Sequence, residues 1–122
     1  IAAIKFVDGN PVDQFVTLIN PERPIDPFIT DITGIADDMV RDKPIESDII
    51  SEFLEFLTDL PLVAHNISFD KSFLDALCAR FSKPKKNNPL FDTLQLSRTF
   101  LFFHPVHDLG SISEYFGLSS AG

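Results

Sequence analysis

The stretch Val63-Ala64-His65-Asn66-Ile67-Ser68-Phe69-Asp70 holds the residues best placed to do chemistry: an apolar run, then polar groups, then a carboxylate where a helical pattern begins. Phe69, Phe73, Leu74, Leu77 and Phe81 recur at helical spacing. Asp70 precedes Phe73, Leu74 and Leu77 by three, four and seven positions, so the pattern predicts that it points inward. Lys71 and Asp75, four apart, are expected on the opposite face as an ion pair in solvent. An acid in a helix's first turn is favoured by the dipole and the unpaired amides, and Ser68 is a good N-cap, so Asp70 alone reads as a helix-start residue. Its company adds a functional reading, because His65 and Asn66 end a buried-type strand and α/β proteins build sites at that edge of a sheet.

Two other groups are weaker. Asp92 ends a second short strand, where capping the helix that follows accounts for it. His104, His107 and Asp108 have a spacing that suggests a metal site, but three ligands on one loop without Cys or a further acid read as a solvent loop.

The elements that position these residues follow from local signals. Ile1 to Val7 reads as a strand, Asp8-Gly9-Asn10 as a turn and Val12 to Ile19 as its antiparallel partner. Three prolines between Asn20 and Pro27 impose an extended connection. A short helix stopping at Gly34 and a second turn around Asp37 to Val40 come next. Ile45, Ile49, Ile50, Phe53, Leu54 and Leu57 form a helical stripe with Glu46, Asp48, Ser51, Glu52 and Glu55 on the wet face. Leu60 to Ala64 is a short buried strand, Phe69 to Phe81 a helix, Leu90 to Asp92 a strand and Thr93 to Phe102 a helix, which implies parallel pairing. Asp108 is expected to cap a last helix through Phe116, ended by Gly117.

Composition sets the bounds. The chain has 122 residues, 44% of them hydrophobic, which suits one domain that is short for a complete α/β enzyme. Thirteen Phe without Trp make the core phenylalanine-rich, so most rings are expected to pack and not to stack on bases. The single Cys78 forms no disulfide within the chain, and a reduced cytoplasm is the expected compartment. No apolar run reaches the roughly 20 residues that span a bilayer. A formal charge of −8 counts against a broad basic surface for nucleic acid, so such contact has to be local or metal-bridged. Lys83-Pro84-Lys85-Lys86 reads as a solvated connector.

The order of features resembles the histidine subtype of the DEDD superfamily of 3′–5′ exonucleases, a family of ribonuclease H-like fold that includes proofreading ε-subunits of DNA polymerase III. The matching residues are Asn20-Pro21 with Pro24-Ile25, Ile32-Thr33-Gly34-Ile35 with Asp38-Met39-Val40, Leu62-Val63-Ala64-His65-Asn66 with Phe69-Asp70, Asp92-Thr93-Leu94 with Arg98, and Leu109-Gly110-Ser111-Ile112. The resemblance covers essentially the whole chain. It implies an α/β domain with a mixed sheet, an N-terminal antiparallel hairpin and flanking helices. It also implies two-metal hydrolysis, with Mg²⁺ or Mn²⁺ ions held about 3.5–4 Å apart by carboxylates. By match, Asp70 is the catalytic metal ligand, Asn66 and Phe69 line the pocket for the terminal nucleotide, and Gly34-Ile35 packs near its base. His65 belongs to the same substrate-binding group and reads as shaping the strand end more than as a base.

Two family motifs have no counterpart. Asp-x-Glu on a strand before the hairpin is absent, and the His followed by Asp is expected after the Leu109 helix, beyond the last residue. The chain therefore reads as an internal piece of an exonuclease, truncated at both ends, inactive alone and prone to associate through uncovered apolar stripes. The implied substrate is the 3′ end of single-stranded DNA, in a proofreader or a module fused to a polymerase or helicase. Alternatives are an exoribonuclease of the same family and a binding module of the same fold without catalysis. No Gly-rich phosphate loop supports a generic nucleotide-binding domain.

Overall fold

Asp8 and Gly9 both take positive φ, 52° and 77°, the backbone that a two-residue turn between twisted antiparallel strands demands. They join β1 (Ala2–Val7) to β2 (Asn10–Val16), with Ala3 opposite Phe15 and Lys5 opposite Asp13. The register slips between Lys5 and Phe6, where Pro11 has no N–H to donate to the ladder. The computed structural model describes residues 1–118 and contains two compact units, Ile1–Thr58 and Asp59–Gly122.

In the first unit, α1 (Pro27–Thr33) starts on the Asp26 side chain, which accepts from the Phe28 N–H, and stops at Gly34 in left-handed conformation. A four-residue turn, α2 (Asp37–Val40), and the amphipathic α3 (Glu46–Leu57) follow. The proline-rich connection is held by its neighbours. The Asn20 N–H donates to the Pro44 carbonyl (2.9 Å), and the Ile25 N–H to Asp37 Oδ1 (2.8 Å). The core is Phe15 with Val40, Ile49, Ile50, Phe53 and Leu57; the Phe15 and Phe53 ring centroids lie 5.2 Å apart. Lys5 Nζ sits 4.6 Å over the Phe56 ring.

In the second unit, β3 (Leu62–Ala64) pairs in parallel with β4 (Leu90–Asp92), joined through the crossover helix α4 (Ile67–Arg80). Two further helices follow, α5 (Thr93–Phe100) and α6 (Leu109–Tyr115). Leu74, Leu77 and Cys78 of α4 are buried. Lys86 pairs with Asp59 and Lys85 with Asp75, both at 3.6 Å, which ties the expected solvated connector to its own unit by surface contacts of small individual worth.

The architecture is mixed α/β, as expected, with the antiparallel and parallel pairings both present. Among the described residues they form two separate two-stranded ladders. The second strand begins and ends earlier than the hydrophobic run suggested, since the tight turn starts pairing at Asn10. No described helix is long and apolar enough to cross a membrane.

Two expectations for α4 are corrected. Its N-cap is Asn66, in left-handed conformation, and not Ser68. Asp70 does not point inward: it is exposed, as are Phe69 (74%) and Phe73 (41%), whereas the Lys71 side chain keeps only 14% exposure and pairs with Asp75. The apolar stripe is wider than the face that packs, which is centred on Leu74, Leu77 and Cys78, and the first turn runs beyond that packing. Truncating fully buried Leu77 to Ala should therefore cost roughly 2–5 kcal/mol in urea unfolding. Phe69→Ala, on the surface, should stay within about 0.5 kcal/mol of the parent; equal losses would reverse this assignment of faces.

Candidate active site

The parallel register aligns Ala64 with Asp92, so the residues leaving β3 and those leaving β4 emerge side by side. His65 and Asn66 leave one strand, and Asp92 and Thr93 the other. Asn66 has φ 69° and ψ 58°, a left-handed turn that Asn tolerates better than most residues. This turn swings the chain directly into α4, and Asp70 follows within the first turn of the helix.

The turn is held by Asp92. One carboxylate oxygen, Oδ1, accepts from the Asn66 N–H and from the Leu94 N–H, both at 2.9 Å. The capping role expected for Asp92 is thus present, with a second role added. Burial pushes the Asp92 carboxyl upward, but donation from the N–H groups of Asn66, Leu94, Ile67 and Gln95 prevails and holds it below the ordinary carboxylate range.

His65 is half-buried with both ring nitrogens engaged. Nδ1 meets Thr93 Oγ1 at 3.0 Å, and Nε2 meets the His107 backbone carbonyl. A carbonyl only accepts, so Nε2 carries the proton and Nδ1 accepts from the Thr93 hydroxyl. An imidazole bonded at both nitrogens shapes the strand end.

Asn66 and Phe69 are exposed beside Asp70. Asn66 Oδ1 accepts from Ser68 Oγ (3.2 Å), which leaves its amide donors facing outward. Among the described residues no hydrogen bond or ion pair engages the Asp70 carboxylate. Gly34 and Ile35 lie in the first unit, where Gly34 ends α1 with φ 73° and the Ile35 N–H donates to Thr33 Oγ1 (3.2 Å).

The loop before α6 is ordered by its own polar groups. Asp108 caps α6, accepting from the Ser111 N–H (3.2 Å), and the Ser111 hydroxyl and N–H hold its carboxyl below the usual range. His104 Nδ1 meets the Val106 carbonyl (2.7 Å) and His107 Nδ1 meets Ser97 Oγ (3.1 Å). His104, His107 and Asp108 therefore serve the loop, and no group of three or more His, Cys, Asp or Glu side chains among the described residues is arranged to hold a metal ion. A mostly apolar cavity of about 380 Å³ opens between α5 and α6, with His65 and Thr93 at its polar end; Asp70, Asn66 and Phe69 do not line it.

The family model described as Exonuclease matches residues 1–122, and the chain belongs to this family. It is 40% identical over 120 residues to the DNA polymerase III PolC-type of Streptococcus pneumoniae serotype 2 (strain D39 / NCTC 7466), covering 98% of this chain and 8% of that protein. It is 38% identical over 122 residues to the DNA polymerase III PolC-type of Bacillus subtilis (strain 168), covering 97% of this chain and 8% of that protein. The chain thus spans about 8% of the length of these curated relatives. A solved structure, Exonuclease X in complex with 5′ overhanging duplex DNA, aligns with a TM-score of 0.71 at 28% identity, over 98% of this chain and 64% of that one. The fold is that of a ribonuclease H-like exonuclease. Domains of the family generally use divalent metal ions.

Sequence reasoning missed Thr93 and the clasp of Asp92 on Asn66. The available signal was the parallel register, which sets Asp92-Thr93 beside His65-Asn66. Because the folded-state value of Asp92 is depressed, its contribution to stability is present above the ordinary value of about 3.9 and fades as pH falls through the folded value. The protection factor of the Asn66 amide should therefore fall at acid pH, and Asp92→Asn should flatten that part of the profile. An unchanged acid profile in the variant would contradict the clasp.

Proposed function

We propose that this chain forms part of a proofreading 3′–5′ exonuclease within a polymerase polypeptide, hydrolysing phosphodiesters at the 3′ end of single-stranded DNA. The observation that carries the reading is the exposed, unengaged Asp70 carboxylate at the exit of β3, in a chain of the exonuclease family. Asp70 suits one oxygen-ligand position for Mg²⁺ or Mn²⁺, since hard cations take carboxylate oxygens together with substrate phosphate. The described residues do not complete a two-ion site around it. Bound divalent ions would supply an activated water and charge for the departing 3′ oxygen.

The chain's own residues divide the remaining work. Phe69 offers an exposed ring on which a terminal base can stack, a contact worth about 1–3 kcal/mol. The outward amide of Asn66 donates a hydrogen bond to the same nucleotide. For Gly34 and Ile35, contact with the terminal base rests on the resemblance alone. A net charge of −8 leaves backbone attraction weak, so binding depends on the strand end and its metal. A PolC-like parent places the domain beside a polymerase module in the cytoplasm, and the two units act as one exonuclease domain.

In the full-length protein with Mg²⁺ or Mn²⁺, mononucleotide should be released from the 3′ end of labelled single-stranded DNA. Asp70→Asn should lower that rate at least about 100-fold. Release from the 5′ end, or an undiminished Asp70→Asn rate, would overturn the assignment, and faster turnover of matched RNA would change the substrate class. Residues 1–122 alone should show no turnover, because Asp70 is the only described acid matched to the family's ligand set.

A further inference from the structure

Two consecutive residues on each strand exit hold two on the other. Asp92 takes the Asn66 N–H, and Thr93 Oγ1 meets His65 Nδ1. His65 then reaches through Nε2–H to the carbonyl of His107, forty-two residues along the chain. That carbonyl is itself anchored. The buried Ser97 hydroxyl donates to the Leu94 carbonyl (2.8 Å), so it accepts from His107 Nδ1–H, and the His107 side chain is fixed from the α5 side.

A neutral imidazole exists as either tautomer, and only the Nε2–H form can donate to His107. The His107 carbonyl, which only accepts, selects the Nε2–H form, and the Thr93 hydroxyl then donates to the bare Nδ1 and holds the ring in that orientation.

We propose that Thr93 is a positioning residue for the exonuclease reaction: its hydroxyl donates to Nδ1 of His65 and holds the ring whose Nε2–H, bonded to the His107 carbonyl, ties the Asn66–Asp70 turn to the loop preceding α6. Its kinetic consequence rests on the exonuclease reading given above; the latch itself does not. Thr93 and Asp92 act as a pair, one on the imidazole and one on the backbone, so the acid-bearing turn is restrained at two successive residues. Thr93 touches no reacting atom in this arrangement; it acts through His65.

Thr93→Val keeps the shape and removes the hydroxyl, and Thr93→Ser keeps the hydroxyl. In the full-length protein acting on a 3′-labelled single strand, Thr93→Val should lower kcat about tenfold with KM within about twofold, and Thr93→Ser should remain near the parent. His65→Asn should resemble Thr93→Val, and the double variant should be no worse than the poorer single, as expected of groups acting as one unit. Independently of activity, hydrogen exchange should quicken in peptides covering 64–70 and 104–108 in Thr93→Val but not in Thr93→Ser, with residues 46–57 unchanged.

Parent-like kinetics and exchange in Thr93→Val would overturn the proposal. So would a Thr93→Ser variant as impaired as Thr93→Val, or losses that multiply in the double variant. An acid limb of the pH profile lost in His65→Asn but kept in Thr93→Val would make His65 a proton-transfer group instead. If the parent releases no nucleotide, the exonuclease reading fails, and the exchange pattern alone decides whether the latch exists.

Discussion

A single carboxylate oxygen organises the second unit. Asp92 Oδ1 accepts from the first N–H pointing out of β3's exit turn and from the second residue of α5, so the starts of two helices hang on one side chain. Helix N-termini leave donors without partners, and an acid at a strand end answers that need with both hydrogen bonding and charge. The left-handed Asn66 is what the clasp preserves. A chain that left β3 in extended conformation would carry α4 elsewhere, and Asp70 with it.

The consequence is an acid that is held without being used up. Asp75 illustrates the contrast on the same helix: its bond from Lys71 dominates, burial opposes it, and the net effect holds its carboxyl below the ordinary range. Asp70, one turn and a half earlier, has no protein partner among the described residues and stands in the open beside an exposed Phe69. A carboxylate with its lone pairs free and an aromatic ring alongside suit a cation and a base face better than they suit folding. In a chain this acidic, a ligand that brings its own positive charge overcomes the repulsion a nucleic acid backbone meets.

Legibility from sequence follows the range of the interaction. Asp8-Gly9, Asp26 before Pro27, Gly34, the Asp92 cap on Leu94 and Asp108 are all local devices, in which a side chain or a positive φ acts within a few residues, and each lies where its type predicts. The face of α4 was not legible in the same way. Phe69, Phe73, Leu74, Leu77 and Phe81 describe a stripe broader than any one packing surface, and periodicity does not say which part of it meets the strands. Ser68 and Asn66 are equally good caps by type, and the strand exit, which requires a left-handed residue, decides for Asn66. The partners of His65 lie twenty-eight and forty-two residues away and include a backbone carbonyl, which no residue type announces.

The most direct measurement is anomalous diffraction from Mn²⁺-soaked crystals of the full-length protein bound to a 3′-ended single-stranded oligonucleotide. A manganese peak bonded to the Asp70 carboxylate, with the terminal nucleotide against Phe69 and Asn66, is the expected result. A bare Asp70 carboxylate, with the metal and the strand end bound elsewhere, would contradict the presentation of this acid to substrate as the purpose of the strand-exit geometry.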